Sequence, residues 1–405
     1  MLTRVGVPVE YEAEHSAPDP EPTTLICFSH LRWNFVFQRP QHLMSRFARE
    51  MNVIYWEEPM DIEPNETAYL QVREAQDAGN VRVVVPHLPK GMPDDAREAA
   101  LARLLDAHLA SHHGPLIAWY YTPMMLPFSK HITPDVTVYD AMDELSKFKF
   151  APEHLLSYEQ ELIDRADVVF TGGSSLFEAK KDRHHSVHCF PSSVDRAHFA
   201  KARARQFDPA DQEDLPRPRF GFYGVIDERF DTELLAKIAE MRPNWSFVML
   251  GPVVKISDED LPKRHNIHYL GGKTYDQLPS YLAGWDVALM PFAMNESTEF
   301  ISPTKTPEYL AGGRPVVSTP IKDVVRHYGQ LEGVKIASTP EEFVAACEAA
   351  LELAKQPESG WLGEADLMLS ASSWDTTQAR MAGLIADVLG TRTGATSPAM
   401  LVAAE

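Results

Sequence analysis

Lys305 and Glu308 lie in the run Ser302–Pro320, SPTKTPEYLAGGRPVVSTP, which reads as loop, helix, tight turn and strand. Ser302 or Thr304 would cap the helix, Pro307 suits its first turn, and Gly312-Gly313 would end it. A cation in the first turn of a helix opposes the dipole. Lys305 makes sense there if it shares an anion with the free N–H groups of the helix start, as at a phosphate site. Glu308, near the same face, is placed to hold sugar hydroxyls. The plainer alternative is a solvated lysine and a first-turn acid that suits the dipole. Phe222–Asp231, FYGVIDERFD, adds a second cation. Gly224 permits close backbone approach after a strand, and Arg229 offers bidentate contacts to a diphosphate, unless it is an ordinary surface arginine.

Tyr139–Glu144, YDAMDE, ends a strand in three carboxylates, Asp140, Asp143 and Glu144. Mutual repulsion there costs stability and raises the pKa of Asp143, which suits a general base. The alternative is one helix cap and two solvated acids. Arg32–His42, RWNFVFQRPQH, is basic and aromatic within an acidic chain. With Arg46 and Arg49 it predicts a positive patch for an anionic acceptor or lipid headgroups, or else a loop whose aromatics pack under a sheet. Gly271-Gly272-Lys273-Thr274 follows a further strand, and Lys273 is either a ligand contact or a turn lysine. Asp258-Glu259-Asp260 fits a metal-diphosphate pattern but sits in a charged loop, so it reads as surface charge. His112-His113 and His184-His185 with His188 lack a completing carboxylate or cysteine. No metal site is expected.

The elements that would position these residues alternate. Strands are read at Thr24–Ser29, 52–56, 81–85, 115–120, 136–139, 167–171 and 187–190, with helices from near Pro40, at 94–111 and at 153–166. Charge and proline take over at 201–218, which reads as a linker. A second series has strands at 220–224, 246–250, 267–270, 286–290, 315–318 and 334–336. Thr339-Pro340-Glu341-Glu342 is a capping box, and a last helix from near Ser373 carries Met381, Leu384, Ile385, Val388 and Leu389 as its apolar stripe. Alternation of this kind predicts an α/β chain of two Rossmann-like, doubly wound domains facing a cleft. The expected divisions are a loose arm at 1–22, a first domain at 23–200, the linker at 201–218, a second domain at 219–372, the last helix at 373–390 and a disordered tail at 391–405.

The 405 residues suffice for two or three domains, and a net charge of −20 excludes a general nucleic-acid binder. Three scattered cysteines, Cys27, Cys189 and Cys347, fit a reducing compartment. No apolar run approaches a membrane span and the N-terminus lacks a signal h-region, so a cytoplasmic protein is expected, with peripheral contact at the inner face of the membrane left open.

PxKxxEYLAxGxPVVSTP resembles the donor-site segment of GT-B glycosyltransferases, in the set called glycosyl transferases group 1. The resemblance covers most of Thr24–Gly390 and is stronger in the second domain. It implies a metal-independent transferase with no cofactor, whose co-substrate is a nucleotide-diphosphate sugar, UDP- or GDP-linked. Nucleotide-sugar contacts would come from Gly224, Arg229, Gly272, Lys273, Thr304, Lys305 and Glu308. The last helix would cross back onto the first domain. VYDAMDELS is similar to the xanthan-type glucuronosyltransferases, in which an aspartate at the position of Asp143 is the proposed base; Asp140, Arg229 and Lys305 complete the catalytic set. WNFVFQRPQHL resembles a segment of bacterial polysaccharide glycosyltransferases. Arg32, Trp33, Arg39 and Glu144 are expected on the acceptor side. The acceptor implied is a glycan or a lipid-linked glycan of surface polysaccharide synthesis. Two features depart from the retaining pattern: Phe300 stands where an earlier glutamate is usual, with Glu299 one residue out of register, and Tyr139 stands where a histidine is usual. Inversion is favoured. Other readings are a sugar-nucleotide epimerase on the same fold and a non-catalytic nucleotide-sugar-binding scaffold.

Overall fold

The structure is a computed structural model and describes residues 22–76, 78–204, 207–356 and 360–393. Nearly all of the expected arm and of the expected tail lie outside the described residues. Thr391 to Thr393, assigned to the tail, continue the last helix, Trp374–Thr393.

The first domain holds β1 (Thr24–Ser29), β2 (Asn52–Glu57), β3 (Met60–Ile62), β4 (Tyr69–Glu74), β5 (Val81–Pro89), β6 (Leu116–Tyr120), β7 (Val136–Ala141), β8 (Val168–Thr171) and β9 (Val187–Cys189). They form one sheet in the order β3-β5-β2-β1-β6-β7-β8-β9, with β4 antiparallel against β5. The second domain holds β10 (Arg219–Tyr223), β11 (Ser246–Leu250), β12 (Ile267–Tyr269), β13 (Val287–Met290), β14 (Val316–Ser318) and β15 (Val334–Ile336), in the order β12-β11-β10-β13-β14-β15. Both sheets carry the doubly wound order, and in each the order reverses beside the first strand. Loops after β1 and β6, and after β10 and β13, therefore open on the cleft.

The central strands read as continuous apolar runs because helices cover both faces of each sheet. All of β1 is buried, with Ile26 in register with Ile54 on one side and Ala118 on the other. Leu101, Leu105, Leu162 and Ile163 from two helices fill one face of the first sheet. The other face receives Leu43, Met44 and Phe47 together with Trp374, Met381 and Ile385 of the last helix. That helix does cross back, and Arg46 and Arg49 bind its Asp375 at 3.2 and 2.6 Å.

The expected linker at 201–218 is anchored on the second domain through its described residues. Gln212 is fully buried and accepts a hydrogen bond from Trp285 Nε1 at 2.9 Å. Arg219 Nη1 reaches Asp208 at 2.6 Å. The polar composition that suggested solvation instead supplies these bonds, so the segment is a strap on the second domain. Across the cleft, Asp323 Oδ1 accepts from Ser175 N at 2.9 Å and Ser175 Oγ at 2.5 Å, and Ser192 Oγ donates to Ser302 O at 2.7 Å. Among the described residues no helix is long and apolar enough to cross a membrane.

Candidate active site

The site lies where the order of the second sheet reverses, between β10 and β13. The chain leaves β10 at Gly224 with φ +141 and leaves β11 at Gly251 with φ +140. A Cβ on Gly251 would fall 1.8 Å from Gly224 O, and one on Gly224 would fall 2.3 Å from Lys305 Cε. Gly251 needs glycine for space against backbone, and both positions need it for backbone conformation. The loop after Gly224 is built around Asp227, which accepts from Arg229 N at 3.0 Å and Nε at 2.9 Å through Oδ1, and from Nη2 at 2.7 Å through Oδ2. Asp231 then caps the helix Thr232–Met241 through Leu234 N at 2.8 Å.

Two adjoining pockets open from this point. One, about 640 Å³, is lined by Asp143, Arg229, Thr304 and Lys305 with Gln38, Met142, Gly172 and Ser302. The other, about 730 Å³, is lined by Tyr223, Gly224, Arg229, Lys273, Tyr275, Thr304, Lys305 and Glu308. Arg229, Thr304 and Lys305 belong to both, so the two cations stand between a chamber that holds Asp143 and a chamber that holds Glu308.

The electrostatics are those of a site waiting for an anion. Lys305 begins the helix Lys305–Ala311, between the rings of Phe222 and Phe292, each centred 5.7 Å from its ammonium. Burial pushes its pKa down and repulsion from Arg229 pushes it further, with Glu308, Asp227 and Asp143 only partly offsetting. Burial would lower Arg229 too, but Asp227 more than compensates and holds it charged. Burial pushes Glu308 up, against the hydrogen bond its Oε2 accepts from Tyr223 Oη at 2.8 Å and the pull of Lys305 and the Thr304 side chain. Burial also raises Asp143, with Asp227 adding to the effect and Arg229, Arg39 and Lys305 opposing it. A carboxylate poised upward beside two cations is suited to take a proton from a hydroxyl while charge develops on a diphosphate.

Several expected residues are engaged elsewhere. Asp140 does not face the cleft: it is fully buried, and its oxygens accept from Arg39 Nε at 3.0 Å and Nη2 at 2.9 Å. Arg39, 3% exposed, also donates to Phe190 O at 2.8 Å, so it is a structural cation at the pocket wall. Glu144 is held by Lys180 at 2.7 Å and accepts from Ser146 Oγ at 2.7 Å. The like charge that raises Asp143 is therefore Asp227, not its sequence neighbours. Arg32 is held by Glu57 at 3.1 Å and by Glu58 O at 2.5 Å, and Trp33 is buried edge-on against Tyr55. Among its described residues the basic stretch forms no free positive patch; it exposes Asn34, Phe35 and Phe37. Lys273 binds Asp211 of the strap at 2.7 Å, and Gly272 lines the outer groove beside Trp33 and Phe37. The Asp258-Glu259-Asp260 run is exposed. Residues not anticipated are Asp227, Tyr223, Gly251 and Gln38. Gly251 had a readable signal, a glycine ending a strand as Gly224 does.

Residues 217–353 match the family model described as Glycosyl transferases group 1. TuaH of Bacillus subtilis (strain 168), whose name places it in teichuronic acid biosynthesis as a glycosyltransferase, is 26% identical over 257 residues, 58% of this chain and 63% of that relative. The match thus spans less than two thirds of the relative's length. Among solved structures, sucrose-phosphate synthase from Thermosynechococcus elongatus superimposes with a TM-score of 0.64 at 16% identity, covering 91% of this chain and 100% of that one. An E. coli trehalose-6-phosphate enzyme bound with UDP-2-fluoro glucose gives 0.64 at 13% identity, covering 90% and 99%. Anabaena HepE in complex with UDP and glucose gives 0.63 at 12%, covering 89% and 98%. At these identities the structural likeness is one of fold. The chain has the GT-B fold, and within its second domain residues 217–353 are similar to the glycosyl transferases of group 1.

Proposed function

We propose that the protein transfers a sugar from a UDP-linked donor to a glycan or lipid-linked acceptor in bacterial surface polysaccharide synthesis. The observation that carries this reading is the convergence of Arg229 and Lys305 from the second domain with Asp143 from the first on one pocket. TuaH supports the polysaccharide context by name, and the ligands of the E. coli enzyme and HepE support UDP.

In this reading the nucleoside occupies the chamber of Tyr223 and Tyr275, Glu308 holds hydroxyls of the donor, and the diphosphate lies between Arg229 and Lys305. Asp143 takes the acceptor hydroxyl proton as that oxygen attacks the anomeric carbon. The bond from the anomeric carbon to the diphosphate oxygen breaks, and UDP leaves with its charge held by the two cations. That pair takes the place of a metal ion, and the product has inverted configuration. A lipid-linked acceptor would bring the protein to the inner face of a membrane.

The test is calorimetry with UDP, GDP and their sugars, followed by measurement of UDP release with and without glycan acceptors. The reading expects UDP binding and acceptor-dependent release. Donor conversion that needs no acceptor would identify an epimerase, and binding without turnover under any acceptor would identify a scaffold.

A further inference from the structure

The loop after Asp143 crosses the cleft. Its Phe148 ring lies between two cations of the second domain, with the Arg229 guanidinium carbon 5.3 Å and Lys255 Nζ 5.0 Å from the ring centroid. Beside it Lys147 approaches Glu296 of the second domain at 3.8 Å, and Lys255 is itself held by Glu228 at 3.4 Å. Two like charges sharing one ring are tolerated because each meets the negative face of the aromatic quadrupole. The backbone supplies a second observation. Among the described residues, the non-glycine positions with positive φ are Phe150 and Lys255, both at 65°. One lies on each side of this contact. Strained backbone persists where the surroundings over-determine it, and it gathers at ligand clamps and switch segments.

Arg229 is thus gripped twice. Asp227 takes one edge of the guanidinium from its own loop, and Phe148 covers a face from the opposite domain. We infer that Phe148 is a positioning residue, a clamp across the cleft that seats Arg229 on the donor diphosphate as the loop carrying Asp143 closes. Donor seating and placement of the base are then one event rather than two. This rests on the donor reading of the cleft given above.

The experiment uses the full chain and compares F148L, which keeps an apolar side chain but removes the ring, with F148Y, which keeps it. Both are also compared with R229A and the F148L/R229A double variant. UDP affinity is read by calorimetry and kcat by acceptor-dependent UDP release. F148L should lose about 2- to 30-fold in both, the span of a cation–π contact from exposed to desolvated settings. F148Y should stay within about 2-fold of wild type, and F148L should add nothing to R229A. A packing role would make the two substitutions additive, and that result overturns the clamp. So would F148L equal to wild type, or F148Y as impaired as F148L. Wild-type protein with no UDP affinity would overturn the donor reading itself, and the clamp with it.

Discussion

Replacing Lys305 by alanine removes a cation that the fold holds buried at a cost. Its ammonium lies between two aromatic rings at 5.7 Å, and burial and Arg229 both lower its pKa from the ordinary 10.5. A depressed lysine pKa means that folding disfavours the charged form. The free K305A protein should therefore have a Tm equal to or above wild type. In the proposed donor complex, diphosphate should reverse the balance by giving the ammonium a charge-assisted hydrogen bond worth about 1.5–3 kcal/mol. That corresponds to a UDP Kd about 10- to 100-fold weaker in K305A, measured by calorimetry near neutral pH. The sign with pH follows from the same shift. The free protein keeps Lys305 charged only below its depressed pKa. Wild-type affinity should fall as pH rises from that value toward the ordinary lysine range, while K305A should be flat across the same window. Equal Kd values in the two proteins, or a K305A protein much less stable than wild type, would refute the reasoning.

Asp143→Asn should lower kcat by about 10²- to 10⁴-fold, the usual contribution of a general base, with UDP affinity retained. Because burial raises the Asp143 pKa, the wild-type rate should fall on the acid side as pH drops through that raised value, and D143N should not follow it. Arg39→Ala breaks a buried ion pair and should destabilise the fold by about 3–5 kcal/mol in denaturant titration. An intact fold with a raised acceptor KM would return Arg39 to the acceptor site. Activity should survive EDTA, and a loss restored by manganese or magnesium would direct attention to Asp258-Glu259-Asp260.

What the sequence made legible was local. Continuous buried strands alternating with helices announced two doubly wound domains. The capping box at Thr339 is as written, with Thr339 Oγ accepting from Glu342 N at 3.2 Å and Glu342 Oε2 accepting from Thr339 N at 3.2 Å. The odd cation in the first turn, Lys305, does line the cleft. What stayed hidden was long-range pairing. Arg39 meets Asp140 from 101 positions away and Arg46 meets Asp375 from 329, so cations that looked free in the sequence are neutralised in the fold. The short strands β3 and β4 gave no signal because Met60, Tyr69 and Val72 remain exposed and no buried face imposes a period. The anchoring of the linker was likewise hidden, because Gln212 and Asp208 find partners in Trp285 and Arg219 that are distant or unmarked in the sequence.

Whether this cleft joins a sugar to an acceptor hydroxyl activated by Asp143 can be read by proton NMR of the reaction itself. UDP-sugar and a glycan acceptor are mixed with the protein, and the anomeric signals of donor and first-formed product are followed in one sample. Donor should be consumed only when acceptor is present, and the product should have inverted anomeric configuration. A product of retained configuration, or donor consumed without acceptor, would contradict this reading.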